Sequence, residues 1–260
     1  MSLQERPMAD PERPLGPSRY WEIDALRGAA ILWMIAFHLT WDLILYRWIR
    51  VNMSRGPWPW FSRIIATTFL TLVGISLVIS DSRTSAEQRF RKYLFRGAKI
   101  FGFGLVISAV TYFMFGDDFV VFGILHLIGF SIVAAYPFLP QRRRWISLSL
   151  GIVLLIVGSY LNRQTVLHPW FIPLGVNELG RAMLDWYPVL PWFGMALIGI
   201  WIGHTLYTGG RRQFALPDGS RLPVIRQLAF LGRHALLIYL VHQPILVGIL
   251  LAAGWVLSKK

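Results

Sequence analysis

The sequence predicts an all-α, polytopic transmembrane helix bundle of about seven spans, with its N-terminus cytoplasmic. Three observations carry this expectation. Hydrophobic residues make up 55% of the chain and charged residues only 15%. The apolar residues fall in blocks of roughly 20, the length needed to cross a hydrocarbon core, rather than at amphipathic spacing. Arg and Lys then concentrate in alternate connections between those blocks, as the positive-inside rule requires.

The first block, residues 22–46, is EIDALRGAAILWMIAFHLTWDLILY. Six more are expected near 61–80, 94–115, 119–139, 145–161, 188–207 and 230–256. The rich connections hold Arg83, Arg89, Arg91, Lys92, Arg96 and Lys99, then Arg142, Arg143 and Arg144, then Arg211, Arg212, Arg221, Arg226 and Arg233. The poor ones hold Arg47, Arg50, Arg55 and Arg63, then no base in 116–118, then Arg163 and Arg181. An odd number of spans satisfies this pattern, which places the C-terminus outside. Residues 1–19, with Pro7, Pro11, Pro14 and Pro17, read as a disordered cytoplasmic tail. Residues 20–260 read as one membrane domain.

The formal net charge of +13 does not point to nucleic acid, because the bases sit where topology signals belong and no nucleic-acid motif accompanies them. The absence of cysteine removes disulfides, thiol catalysis and cysteine-held metal.

Candidate chemistry starts in the first span. An ionisable group at the centre of a span costs about 2.5–3.5 kcal/mol on insertion scales, so Arg27, His38 and Asp42 mark a functional site. The step from Arg27 to His38 is about 1100° on a helix, roughly 20° past three turns, with a rise of about 16 Å. The two therefore share a face. Asp42 follows His38 at i+4, from where its carboxylate can orient the imidazole as a general base. The plainer reading is that both residues only bond a neighbouring helix. By depth, His126 in FGILHLIG and His242 in YLVHQP can join His38 in one outward-biased pocket, with Gln243 beside His242 as a further substrate-binding candidate. Pro244 removes a helix hydrogen bond and predicts a kink there. Trp58, Trp60, Trp170, Trp186 and Trp192 fall at outer boundaries as belt anchors, while Trp170, in the long 162–187 connection with His168, Asn177, Glu178 and Asp185, can also stack on a sugar. No metal is expected: cysteine is absent, and Asp42 is better placed to orient His38 than to complete a ligand set.

EIDALRGAAILWMIAFHLTWDL, followed in order by FLTLVGISLVIS and FGILHLIG, resembles the bacterial membrane proteins grouped with the heparan-alpha-glucosaminide N-acetyltransferase catalytic domain. LGRHALLIYLVHQP, together with Arg27 and His38, is similar to segments of the broader membrane acyltransferase family 3. The resemblance implies acyl transfer from cytoplasmic acetyl-CoA or another acyl-CoA to a hydroxyl or amino group of an extracytoplasmic carbohydrate or glycolipid, in a bacterial inner membrane. His38 would then be base or acyl carrier, His126 would polarise the carbonyl or share proton transfer, and Arg27 would meet the CoA phosphates or pantetheine, with Asp24 one turn earlier either part of that substrate site or simply pairing with Arg27. The Arg83–Lys99 cluster can hold CoA phosphates too, although topology alone explains it. The chain is shorter than the animal enzyme and than the ten-span acyltransferases, so heparan itself is not implied, and an oligomer stays open. A proton-coupled transporter would use the same His and Asp residues, but the inverted repeats that would favour it are not visible. A non-catalytic membrane partner is the third reading.

Overall fold

In lipid every backbone polar group needs an internal partner, and apolar helices supply it. The computed structural model of the protein, which describes residues 19–53, 55–166, 168–178 and 185–258, is built on that solution. The expected disordered tail, save Arg19, lies outside these residues, as do Arg181 and the last two lysines.

Among the described residues eight α-helices follow in order: α1 (Trp21–Leu45), α2 (Trp58–Asp81), α3 (Ala86–Phe115), α4 (Ile124–Ala134), α5 (Arg144–Leu161), α6 (Val189–Leu206), α7 (Pro223–Arg233) and α8 (Ala235–Ser258). Among the described residues, six helices are long and apolar enough to cross a membrane, all but α4 and α7. The starts follow local chemistry. Glu22 and Asp24 sit in the first turn of α1, where the helix dipole favours acids. Prolines occupy the first turns of α2 and α7, where a missing N–H costs nothing. The only described strands are Thr165–Val166 and Asn177–Glu178, two residues each, paired in parallel.

Three boundaries differ from the sequence expectation. α3 begins eight residues before the apolar block, because the basic stretch from Ala86 continues the helix beyond the hydrophobic window. The expected span 230–256 is two helices broken at His234, and the polar first part forms α7. α8 runs through Pro244 as one helix. The expected span 119–139 is helical over 11 residues only. Gly123, in an extended conformation, delays its start, and Pro137, whose ring would clash with a carbonyl four residues back, leaves a 3-10 turn at its end. The segment nonetheless runs antiparallel along α3, from Ser108, which donates to the Val120 carbonyl, to Tyr93 and Phe90, whose rings meet Tyr136. Eighteen residues of α3 correspond to about 27 Å, so this segment covers most of a bilayer's depth.

α6 lies between α2 and α5, and α4 between α3 and the α2–α6 pair. Leu70, Leu127, Leu197 and Ile200 from α2, α4 and α6 are fully enclosed at the centre. A second apolar cluster of Ile31, Met34 and Ile65, packed by Ala235, Ile238 and Tyr239, joins α1, α2 and α8 just below His38. At the basic end, Glu22 ties α1 to the α6–α7 connection: Arg212 donates to both of its carboxylate oxygens at 2.9 and 2.6 Å, and Tyr207 adds a hydroxyl at 2.9 Å.

Candidate active site

α1 carries polar groups at two levels. At the upper level, His38 Nδ1 lies 2.9 Å from the Met34 carbonyl. A carbonyl only accepts, so in the neutral ring Nδ1 holds the hydrogen and Nε2 presents a bare lone pair. The expected Asp42–His38 hydrogen bond is replaced by this one. Helical side chains lean toward the N-terminus, which brings the imidazole back over its own preceding turn. Asp42 is instead held from across the bundle, where Gln243 Nε2 of α8 donates to its Oδ1 at 2.7 Å. Asp42 is 1% exposed.

His242 joins them. Its ring meets His38 edge-on at 4.8 Å, and its Nδ1 donates to the Tyr239 carbonyl at 2.7 Å. Two of the three histidines expected to converge therefore do so. His126 does not make contact with them among the described residues. It is 2% exposed, its Nδ1 accepts the Gly123 N–H at 3.2 Å, and its Nε2 lies 3.4 Å from Ser108 Oγ. Phe101 and Phe122 flank the ring. With both nitrogens engaged, His126 closes the N-terminus of α4; similar depth in the membrane concealed a different facing. Trp170 is 83% exposed in the 162–187 connection and likewise stands apart from the cluster.

Asp185, from the long 162–187 connection, also reaches the cluster. Its Oδ2 accepts the Ile124 N–H at 3.1 Å and the Tyr239 hydroxyl at 3.5 Å, so one carboxylate binds the start of α4 and the α8 turn beneath His242. A side chain at Gly123 would put a Cβ 2.2 Å from that oxygen, which explains the glycine. Spacing gave no signal for this, because the contact depends on how the long connection folds. Burial pushes the Asp185 carboxyl above the usual carboxylate range, against the opposing pull of the Ile124 N–H and of nearby His38. Its unfolded value is about 3.9, so the stability linked to the raised value is complete below that pH and lost as pH rises through the folded value. Asp185→Asn keeps an acceptor for Ile124 but does not ionise. Its melting temperature relative to wild type is expected to climb as pH rises from about 4 toward neutrality. A difference that is flat with pH would refute this account of Asp185.

At the lower level, about 16 Å along α1 from His38, Arg27 Nη1 pairs with Asp24 Oδ1 at 3.0 Å and Nη2 donates to Ser76 Oγ at 2.8 Å. Both line a cleft of about 540 Å³ at the basic end of the bundle. Six cationic side chains face it, Arg19, Arg27, Arg83, Lys92, Arg96 and Arg233, with Asp24 as the one carboxylate in the lining. The sequence alone accounts for the α2–α3 bases as a topology signal and offers them as a phosphate-binding cluster; the fold adds Arg19 and Arg233 to make a concave cationic cleft. Among the described residues no group of three or more His, Asp or Glu is placed to hold a metal ion.

A family model described as the heparan-alpha-glucosaminide N-acetyltransferase catalytic domain matches residues 19–244. No curated protein and no solved structure gives a significant match.

Proposed function

The chain belongs to the family of heparan-alpha-glucosaminide N-acetyltransferase catalytic domains, and from that premise we propose that it carries an acyl group, an acetyl group in the first instance, from acyl-CoA on the cytoplasmic side to a hydroxyl or amino group of a carbohydrate or glycolipid on the other side of a bacterial inner membrane. The observation that carries this reading is the layout of α1. The helix has a cationic cleft around Arg27 at one end and an unprotonated imidazole nitrogen on His38 about three turns away.

The cleft suits the phosphates of CoA, since Arg and Lys bind them by charge-assisted hydrogen bonds. A pantetheine arm extending along α1 then brings the thioester toward His38. The acceptor O–H or N–H gives its proton to His38 Nε2 as its heteroatom attacks the thioester carbonyl. The tetrahedral oxyanion collapses, the C–S bond breaks, and the CoA thiolate takes the proton back from the imidazolium. The new ester or amide leaves on the outer side. Asp42, Gln243 and His242 line the acceptor end, and His126 holds the start of α4 rather than reaching the reacting atoms.

The test is donor binding to the full chain in nanodiscs. Arg96→Glu reverses one wall charge and is expected to weaken acetyl-CoA binding about 10- to 100-fold, the range for a charged hydrogen bond lost to a phosphate. Acetyl-pantetheine, without the nucleotide phosphates, should bind weakly to both proteins and show no difference. Equal acetyl-CoA affinity in wild type and Arg96→Glu would overturn the placement of the donor.

A further inference from the structure

Five buried side-chain polar atoms lack a hydrogen-bond partner among the described residues, and three of them are neighbours: Asp42 Oδ2, Gln243 Oε1 and His242 Nε2. All three are of one kind. Gln243 turns its amide nitrogen to Asp42, which leaves its oxygen presented as an acceptor. His242 spends its ring hydrogen on the Tyr239 carbonyl, which leaves Nε2 as a lone pair. Asp42 Oδ2 is the free oxygen of a carboxylate enclosed to 1% exposure, and His242 is 7% exposed. His38, half-buried and in edge contact with His242, adds a fourth bare acceptor in Nε2.

Buried polar groups are ordinarily satisfied, and acceptors that have no donor in the chain call for donors from outside it. We infer that Asp42, Gln243 and His242 form a specificity-determining subsite that holds the acceptor substrate through its own O–H and N–H groups and rejects anionic substituents. A hydroxyl or an amine offers hydrogens to these lone pairs. A carboxylate, sulfate or phosphate oxygen offers only further lone pairs and brings like charge to Asp42, with no cation in the cluster to offset the loss of hydration. The acceptor unit seated beside His38 is therefore a neutral or amino sugar ring, not an acidic one. The inference rests on the acyltransferase reading only for which molecule occupies the subsite; its binding chemistry stands on the geometry.

Saturation-transfer NMR on the full chain in nanodiscs tests it without requiring turnover, with methyl glucoside, methyl glucosaminide and methyl glucuronide as probes. The first two are expected to bind saturably and the glucuronide at least about tenfold more weakly, the factor that corresponds to about 1.4 kcal/mol. Asp42→Asn keeps the shape, lets its oxygen face Gln243 and puts an amide N–H where Oδ2 now sits. In that variant the preference for the neutral sugar over the glucuronide should shrink about tenfold or invert. Equal binding of glucoside and glucuronide to wild type, an unchanged order in folded Asp42→Asn, or no binding of any probe to protein that binds acetyl-CoA would each overturn the inference. The wild-type order decides by itself if the variant fails to fold. Sugar binding in the expected order without acetyl-CoA binding would uphold the subsite and defeat the acyltransferase reading.

Discussion

His38→Gln is expected to lower acyl transfer by about 10²- to 10⁴-fold, the usual contribution of a positioned general base, while leaving the fold and acetyl-CoA binding in place. The structural cost is small because the imidazole makes its hydrogen bond within its own helix, to Met34, and is only half-buried. Donor affinity is held by the cationic cleft about three helical turns away. The measurement is single-turnover appearance of free CoA thiol at saturating acetyl-CoA, with binding determined on the same samples. A variant that binds acetyl-CoA like wild type and releases thiol at the same rate would remove His38 from the chemistry and with it the mechanism proposed above.

The sequence made the six long helices legible because length and hydropathy are one-dimensional quantities. It missed α7 and the early start of α3 because both are polar helices, shaped by packing and interfacial position rather than by an apolar run. For the site, depth along each span was readable and facing was not. Depth brought His38 and His242 to one level, where their rings meet, and it brought His126 there as well. The His126 ring, however, faces Gly104 and Ser108 of α3. Which group Asp42 bonds was beyond spacing too: the i,i+4 relation to His38 and the cross-bundle relation to Gln243 compete, and only packed helices decide between them. The contact of Asp185 with α4 and the joining of Arg19 and Arg233 to the Arg27 and Arg83–Lys99 bases share one cause of invisibility. Each is assembled from segments distant in the chain, and a connection such as 162–187 carries no periodic signal of where its side chains arrive.

Gly232→Ala is expected to do more damage to the folded protein than any substitution of a site residue. Helices in lipid gain little from the hydrophobic effect between themselves and associate by close packing at small residues. α1 and α7 show the extreme of that: a Cβ added at Gly232 would lie 1.8 Å from the Asp24 carbonyl oxygen, and one at Gly28 would lie 1.9 Å from the Leu228 carbonyl oxygen. Real Cβ contacts of this kind stay beyond 3.0 Å, so the two backbones must part by more than 1 Å. No flexible side chain is there to yield. Overpacking of this kind costs about 1–3 kcal/mol or more, and the displaced turns carry Asp24, Arg27 and Arg233 of the cleft. Folded yield and melting temperature should both fall, and acetyl-CoA binding should weaken in whatever protein remains folded. Gly248→Ala, on α8 where no atom lies within 4 Å of the new methyl group, is the control and should leave all three unchanged. If Gly232→Ala matched that control, the close approach of α1 and α7 would not be a feature of the molecule, and the cleft that depends on it would have to be rebuilt from a different helix arrangement.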